Sequence, residues 1–146
     1  MTQLSKLFQS LSNKFKLTRD IKSLRPILET YYGQDWQNYL SFKKSEYTRN
    51  LVIKDENIGL YLLYWDKYVK SNIHGHSENG CLFKVSEGNF LEKRYTTDNK
   101  LFFQDNLIIK NKIAYIEDNE AYHSLHNIHH YPITFLHIYS PPPFYS

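Results

Sequence analysis

Leu4, Leu7, Phe8, Leu11 and Phe15 recur at the spacing of one helical face, so the chain opens on an amphipathic helix. A second helical stretch is expected from about Asp20 to Tyr31, with Pro26 in its first turns, where a missing N–H costs least. Gly33 then breaks the chain, and Asp35 is placed to cap a short third helix through Tyr39 and Phe42. After Lys44 the spacing changes. Short runs rich in β-branched and aromatic residues predict strands over Tyr47–Ile53, Leu60–Trp65, Asn72–His76, Cys81–Glu87, Phe90–Tyr95, Leu107–Ile109, Ile113–Ile116, His123–Asn127 and Ile133–Tyr139. Turn signals separate them at Asp55/Asn57, Asn79-Gly80, Gly88-Asn89, Asp98-Asn99 and Asp118-Asn119. The run Pro141-Pro142-Pro143 ends the last strand, because proline cannot donate to a sheet ladder. Strands of this number and length predict a sandwich or small barrel. The expected architecture is mainly β and forms one domain over 1–146: about three α-helices over 1–44, then a barrel over 45–146.

Length and composition agree with that reading. At 146 residues, 16% of them aromatic, the chain can bury a full core but not two ordinary domains. No stretch approaches the roughly 18 apolar residues of a membrane-spanning helix. A single Cys excludes an internal disulfide framework and points to a reducing, cytoplasmic setting. The net charge of +3 is uneven: residues 1–44 hold eight Lys/Arg against three Asp/Glu (+5), and the rest hold ten against twelve (−2). This reads as a solvated helical face, so neither a nucleic acid nor a membrane partner is expected.

Candidate chemistry begins at Ile73-His74-Gly75-His76. On a strand, residues two apart face the same side, so both imidazoles would point inward as a half-site for a divalent transition metal. A lone His-x-His pair is weak evidence in a chain with seven His, and the downstream spacing strengthens it. Four residues after His76 comes Cys81, then six residues and Gly88; later, His123 is followed by three residues and Asn127. As residue types alone, Arg49 reads first as a surface strand residue, Tyr139 as a packed aromatic, and Cys81 as a small buried hydrophobe.

These spacings resemble the two cupin motifs, with Cys81 standing where most cupins carry a metal-binding Glu. Together with Tyr47-Thr48-Arg49-Asn50-Leu51-Val52 and His137-Ile138-Tyr139-Ser140-Pro141-Pro142, they are similar in order and separation to the cysteine dioxygenase family. The resemblance covers about residue 45 to the C-terminus and implies a cupin double-stranded β-helix. It also implies iron(II) held by His74, His76 and His123, with no carboxylate ligand. Arg49 would grip the substrate carboxylate through its guanidinium fork, supported by Tyr47, while Leu63 and Trp65 would wall the pocket. Tyr139 would donate its hydroxyl near the metal and His137 would orient Tyr139. In relatives with a Cys at the place of Cys81, its sulfur is bonded to the tyrosine ring as a thioether.

The implied reaction is oxidation of L-cysteine by O2 to cysteine sulfinic acid. Two other readings remain: a dioxygenase for another small thiol, such as 3-mercaptopropionate or an aminothiol, and a non-catalytic metal-binding cupin that senses thiols. Two positions depart from the family pattern. Phe135 occupies the place where many relatives use Ser to complete a Ser-His-Tyr relay, and Gly75 stands between the metal histidines where a polar residue is common.

Overall fold

The computed structural model describes residues 2–117 and 120–143, so the turn expected at Asp118-Asn119 lies outside the described residues. Helix α1 runs Gln3–Thr18. Thr2 caps it by accepting the Ser5 N–H at 3.1 Å, and Arg19 ends it in the left-handed region at φ 53°. Its buried face is Leu4, Leu7, Phe8, Leu11 and Phe15, as the spacing requires.

The next helical stretch is divided. Asp20 opens a 3₁₀ turn over Ile21–Leu24, and a five-residue helix α2, Arg25–Glu29, follows with Pro26 at its start. The expected third helix is a single 3₁₀ turn, Asp35–Tyr39, so the described residues form two α-helices rather than about three. Asp35 does not cap that turn. Its carboxylate accepts the Leu4 N–H at 2.9 Å and the Tyr31 hydroxyl at 2.7 Å, which fixes the start of α1 from a distance in sequence.

Eight strands follow: β1 Tyr47–Lys54, β2 Gly59–Trp65, β3 Cys81–Glu87, β4 Phe90–Tyr95, β5 Phe102–Ile108, β6 Ile113–Ile116, β7 Tyr122–His126 and β8 Ile133–Tyr139. They form a five-stranded sheet in the order β1-β2-β8-β3-β6 and a three-stranded sheet in the order β5-β4-β7. All the pairings are antiparallel. The sheets are hydrogen-bonded separately, so the expected barrel is a two-sheet β-sandwich rather than a closed cylinder.

Strand alternation sorts the side chains into two cores. On β2, Leu60 and Leu62 face the helices and pack with α1, whereas Tyr61, Leu63 and Trp65 face the other sheet. On β8, Leu136 and Ile138 join the helical core, while Phe135 and Tyr139 point between the sheets. One buried cation ties the layers together. Lys84 on β3 donates to the carbonyls of Leu28, Glu29 and Tyr31 at 3.3, 3.4 and 2.6 Å, satisfying the end of α2.

Two strand expectations change. Asn72–His76 is a loop, paired to a strand through an isolated bridge between His74 and His123. β5 begins five residues before the predicted Leu107, at Phe102. It lies at a sheet edge and is largely exposed, so its first residues lack the alternation that marks a half-buried strand.

Candidate metal centre

The Asn72–His76 loop lies between β2 and β3 of the five-stranded sheet, and its bridge to β7 of the three-stranded sheet decides where its histidines lie. The His74 N–H donates to the His123 carbonyl at 2.9 Å, and the His123 N–H returns a bond to the His74 carbonyl at 3.2 Å. Backbone pairing to β7, rather than alternation along a strand, therefore gathers the imidazoles. The ring of His123 lies 4.5 Å from that of His74 and 4.4 Å from that of His76, centroid to centroid. One nitrogen from each of the three lies within 4.8 Å of the others.

Hydrogen bonds fix how two of these rings present themselves. His74 Nδ1 lies 2.9 Å from the Asn72 carbonyl, which can only accept, so Nδ1 carries the proton and Nε2 a lone pair. His123 Nδ1 lies 2.8 Å from a carboxylate oxygen of Glu92, with the same consequence. The two Nε2 atoms then face each other at 3.0 Å. Lone pairs that close repel, and a cation between them turns the repulsion into binding.

A proton is a poor occupant. Burial, then the neighbouring His123, pulls the His74 pKa down to about 4. Burial, then His123 and His74, brings His76 down to about 2. Neutral imidazoles suit a divalent transition metal, iron among them. The donor set fits the ion that the motifs imply.

A cavity of about 360 Å³ opens on this cluster. Arg49, His74, His76, Cys81, His123, His137 and Tyr139 all line it, with Gly75, Ser77 and Pro143. The Arg49 guanidinium on β1 lies 5.2 Å from the centroid of the Tyr139 ring. Burial, and then the neighbouring Cys81, pushes the Tyr139 phenol well above its ordinary pKa, against the pull of Arg49, so the hydroxyl keeps its proton and can donate. Burial likewise raises the Cys81 thiol, and burial, then Arg49, holds His137 neutral. Cys81 Sγ lies 3.3 Å from His137 Nδ1.

Three expected residues stand back from the cavity. Leu63 and Trp65 point into the core between the sheets, and neither lines the pocket. The Tyr47 ring stacks on Trp65 at 4.5 Å and 12° and also does not reach the cavity. Phe135 packs its ring 4.2 Å from that of Phe90 and 4.4 Å from that of His137. His137 Nε2 is accordingly buried without a hydrogen-bond partner among the described residues.

Glu92 escaped the sequence reading. It is fully buried and accepts from His123, from Arg94 Nε at 2.9 Å and from Asn106 Nδ2 at 2.9 Å. Burial alone would raise its pKa, but bonds to His123 and Arg94 outweigh that and hold the carboxyl below its ordinary value. A signal was available: Phe90 is a core residue, and Glu92 shares its face on β4.

The model of the family described as cysteine dioxygenase type I matches residues 2–145. The chain belongs to that family. Cysteine dioxygenase type 1 of Bos taurus is 30% identical over 132 residues, and that of Danio rerio 33% identical over 135. Each comparison covers 84% of this chain and 66% of the relative, so the chain spans just under two thirds of the curated relatives' length. Among solved structures, a Thermus thermophilus protein has a TM-score of 0.63 at 15% identity, covering 77% of this chain and all of its own (100%). The cupin domain of Schizosaccharomyces pombe Cnp3 has a TM-score of 0.59 at 10% identity, covering 71% of this chain and 70% of its own. These similarities show a cupin fold for a member of the cysteine dioxygenase family.

Proposed function

We propose that the chain is an iron(II)-dependent thiol dioxygenase that oxidises L-cysteine with O2 to cysteine sulfinic acid. The observation that carries this is the pair of imidazole Nε2 atoms 3.0 Å apart, on histidines that line one cavity with Arg49 and Tyr139. His74, His76 and His123 would hold the ion, which when bound supplies the redox chemistry between thiol and O2 and lowers the pKa of a coordinating thiol.

The chain's own residues then bind and orient. Arg49 presents a planar fork to the cysteine carboxylate, a bidentate match that a lysine cannot make. Tyr139, protonated and buried, donates toward the reacting end of the substrate. Cys81 takes the place of a carboxylate ligand, so three neutral imidazoles leave the ion its full formal charge to attract an anionic thiolate.

Anaerobic reconstitution with iron(II), followed by a thiol panel and product mass analysis, tests the reading. Cysteine should give the sulfinic acid, and cysteamine, which has no carboxylate, should be a poor substrate. Product from 3-mercaptopropionate in preference to cysteine would reassign the substrate. Bound iron with no product from any thiol would leave a metal-binding cupin without turnover.

A further inference from the structure

We propose that Glu92 is a positioning residue for the metal centre, and that its carboxylate, acting through His123, supplies the anionic character that Cys81 leaves out of the ligand set. This rests on the metal reading above and extends it one layer outward.

A buried carboxylate without partners is costly, so a fully buried Glu92 in a sheet interior requires compensation. Three donors supply it: His123 Nδ1, Arg94 Nε and Asn106 Nδ2, at 2.8, 2.9 and 2.9 Å. Arg94 is not devoted to Glu92. Its other nitrogens bind the Tyr115 carbonyl at 2.6 Å and the Glu120 carboxylate at 3.1 Å. One cation thus serves two carboxylates, and the surplus negative charge is directed at the Nδ1–H of a metal-facing imidazole.

The ligands are therefore graded. His74 leans on a neutral carbonyl, whereas His123 leans on an anion. A carboxylate on Nδ1–H fixes the ring's tautomer and rotation and makes its Nε2 a stronger donor. The proton stays on Nδ1, shared with Glu92. The negative charge sits one hydrogen bond from the ligand ring, which favours a more highly charged ion over a less charged one.

Glu92→Gln removes the charge at nearly constant volume, and its single carbonyl oxygen can accept from His123 or from the Arg94 and Asn106 donors but not from both. Its affinity for iron(II) should fall about 10–100-fold, the usual effect of losing such a partner. The ratio of ferric to ferrous affinity should also fall about tenfold, raising the midpoint potential by about 59 mV. Glu120→Gln removes an equal charge from the far side of Arg94 and should leave both quantities unchanged. If Glu92→Gln fails to fold, the zinc-loaded wild type decides: a deshielded, slowly exchanging Nδ1–H proton on His123 is expected, and its absence overturns the proposal. So does a folded Glu92→Gln protein with wild-type iron affinity and potential. Wild type that binds iron no better than His74→Ala would remove the metal reading itself, and this proposal with it.

Discussion

Cys81 and Tyr139 stand directly opposite one another in the antiparallel β3–β8 pair, and both face the cavity. Cross-strand partners hold their Cβ atoms about 4.5–5.5 Å apart, within reach of a bond from sulfur to the ring carbon beside the hydroxyl. Forming that bond removes one hydrogen from the thiol and one from the ring, with O2 as the oxidant. Protein that has turned over cysteine in air should therefore contain a species lighter by two hydrogens, absent from Cys81→Ala. A full complement of free thiol after many turnovers would contradict the cross-link and leave the dioxygenase reading standing.

Arg49 is tested by comparing substrates. Losing one partner of a buried, hydrogen-bonded charge pair costs about 2–5 kcal/mol. Arg49→Ala should lower kcat/KM for cysteine by roughly 30-fold or more, with little further loss on cysteamine. Equal losses on both thiols would make Arg49 structural.

The sequence revealed the site more fully than its supports. Spacing pointed to His74, His76 and His123, the resemblance to the family added Arg49, Cys81, His137 and Tyr139, and all seven border one cavity. The strand under His74 and His76 was misplaced, because two histidines two apart suit a strand as well as a loop held by a bridge to β7. Leu63 and Trp65 were assigned to the pocket wall, yet strand alternation turns them into the core behind it. Glu92 was missed because an acidic residue within the polar-looking run Glu92-Lys93-Arg94 reads as surface until Phe90 fixes which face is inside. The short helices were indistinct for another reason. A single turn near Asp35 is decided by contacts with α1 rather than by its own sequence.

Phe135 is expected to be a packing residue with no catalytic part. Its ring meets those of Trp65, Phe83, Phe90 and His137, with centroids 5.8, 6.2, 4.2 and 4.4 Å away. Phe135→Ala should cost about 3–5 kcal/mol in urea unfolding. A loss under about 1 kcal/mol would show that the aromatic cluster collapses around the gap.

Asp55, in the turn between β1 and β2, ties the sheet to α1. It accepts the Ser12 hydroxyl at 2.5 Å and the N–H groups of Asn57 and Ile58 at 2.8 and 2.9 Å. Burial pushes its pKa up, but these bonds outweigh that and bring it below 3.8. A folded pKa below the unfolded one means the stabilisation is complete above 3.8 and is lost as pH falls through the lower value. Asp55→Asn should be destabilised by about 1–2 kcal/mol at pH 7, and the gap should close on acidification below pH 4. A gap independent of pH would mean the charge contributes nothing.

A dioxygenase in this cavity should deliver both atoms of O2 to the thiol sulfur. Iron-reconstituted protein turning over L-cysteine under ¹⁸O2 measures it directly. Cysteine sulfinic acid carrying two labelled oxygens is expected, with one O2 consumed per product and neither product nor iron retention in His74→Ala, His76→Ala or His123→Ala. Unlabelled or singly labelled product from the iron-loaded protein, or turnover that survives in all three ligand variants, would contradict it.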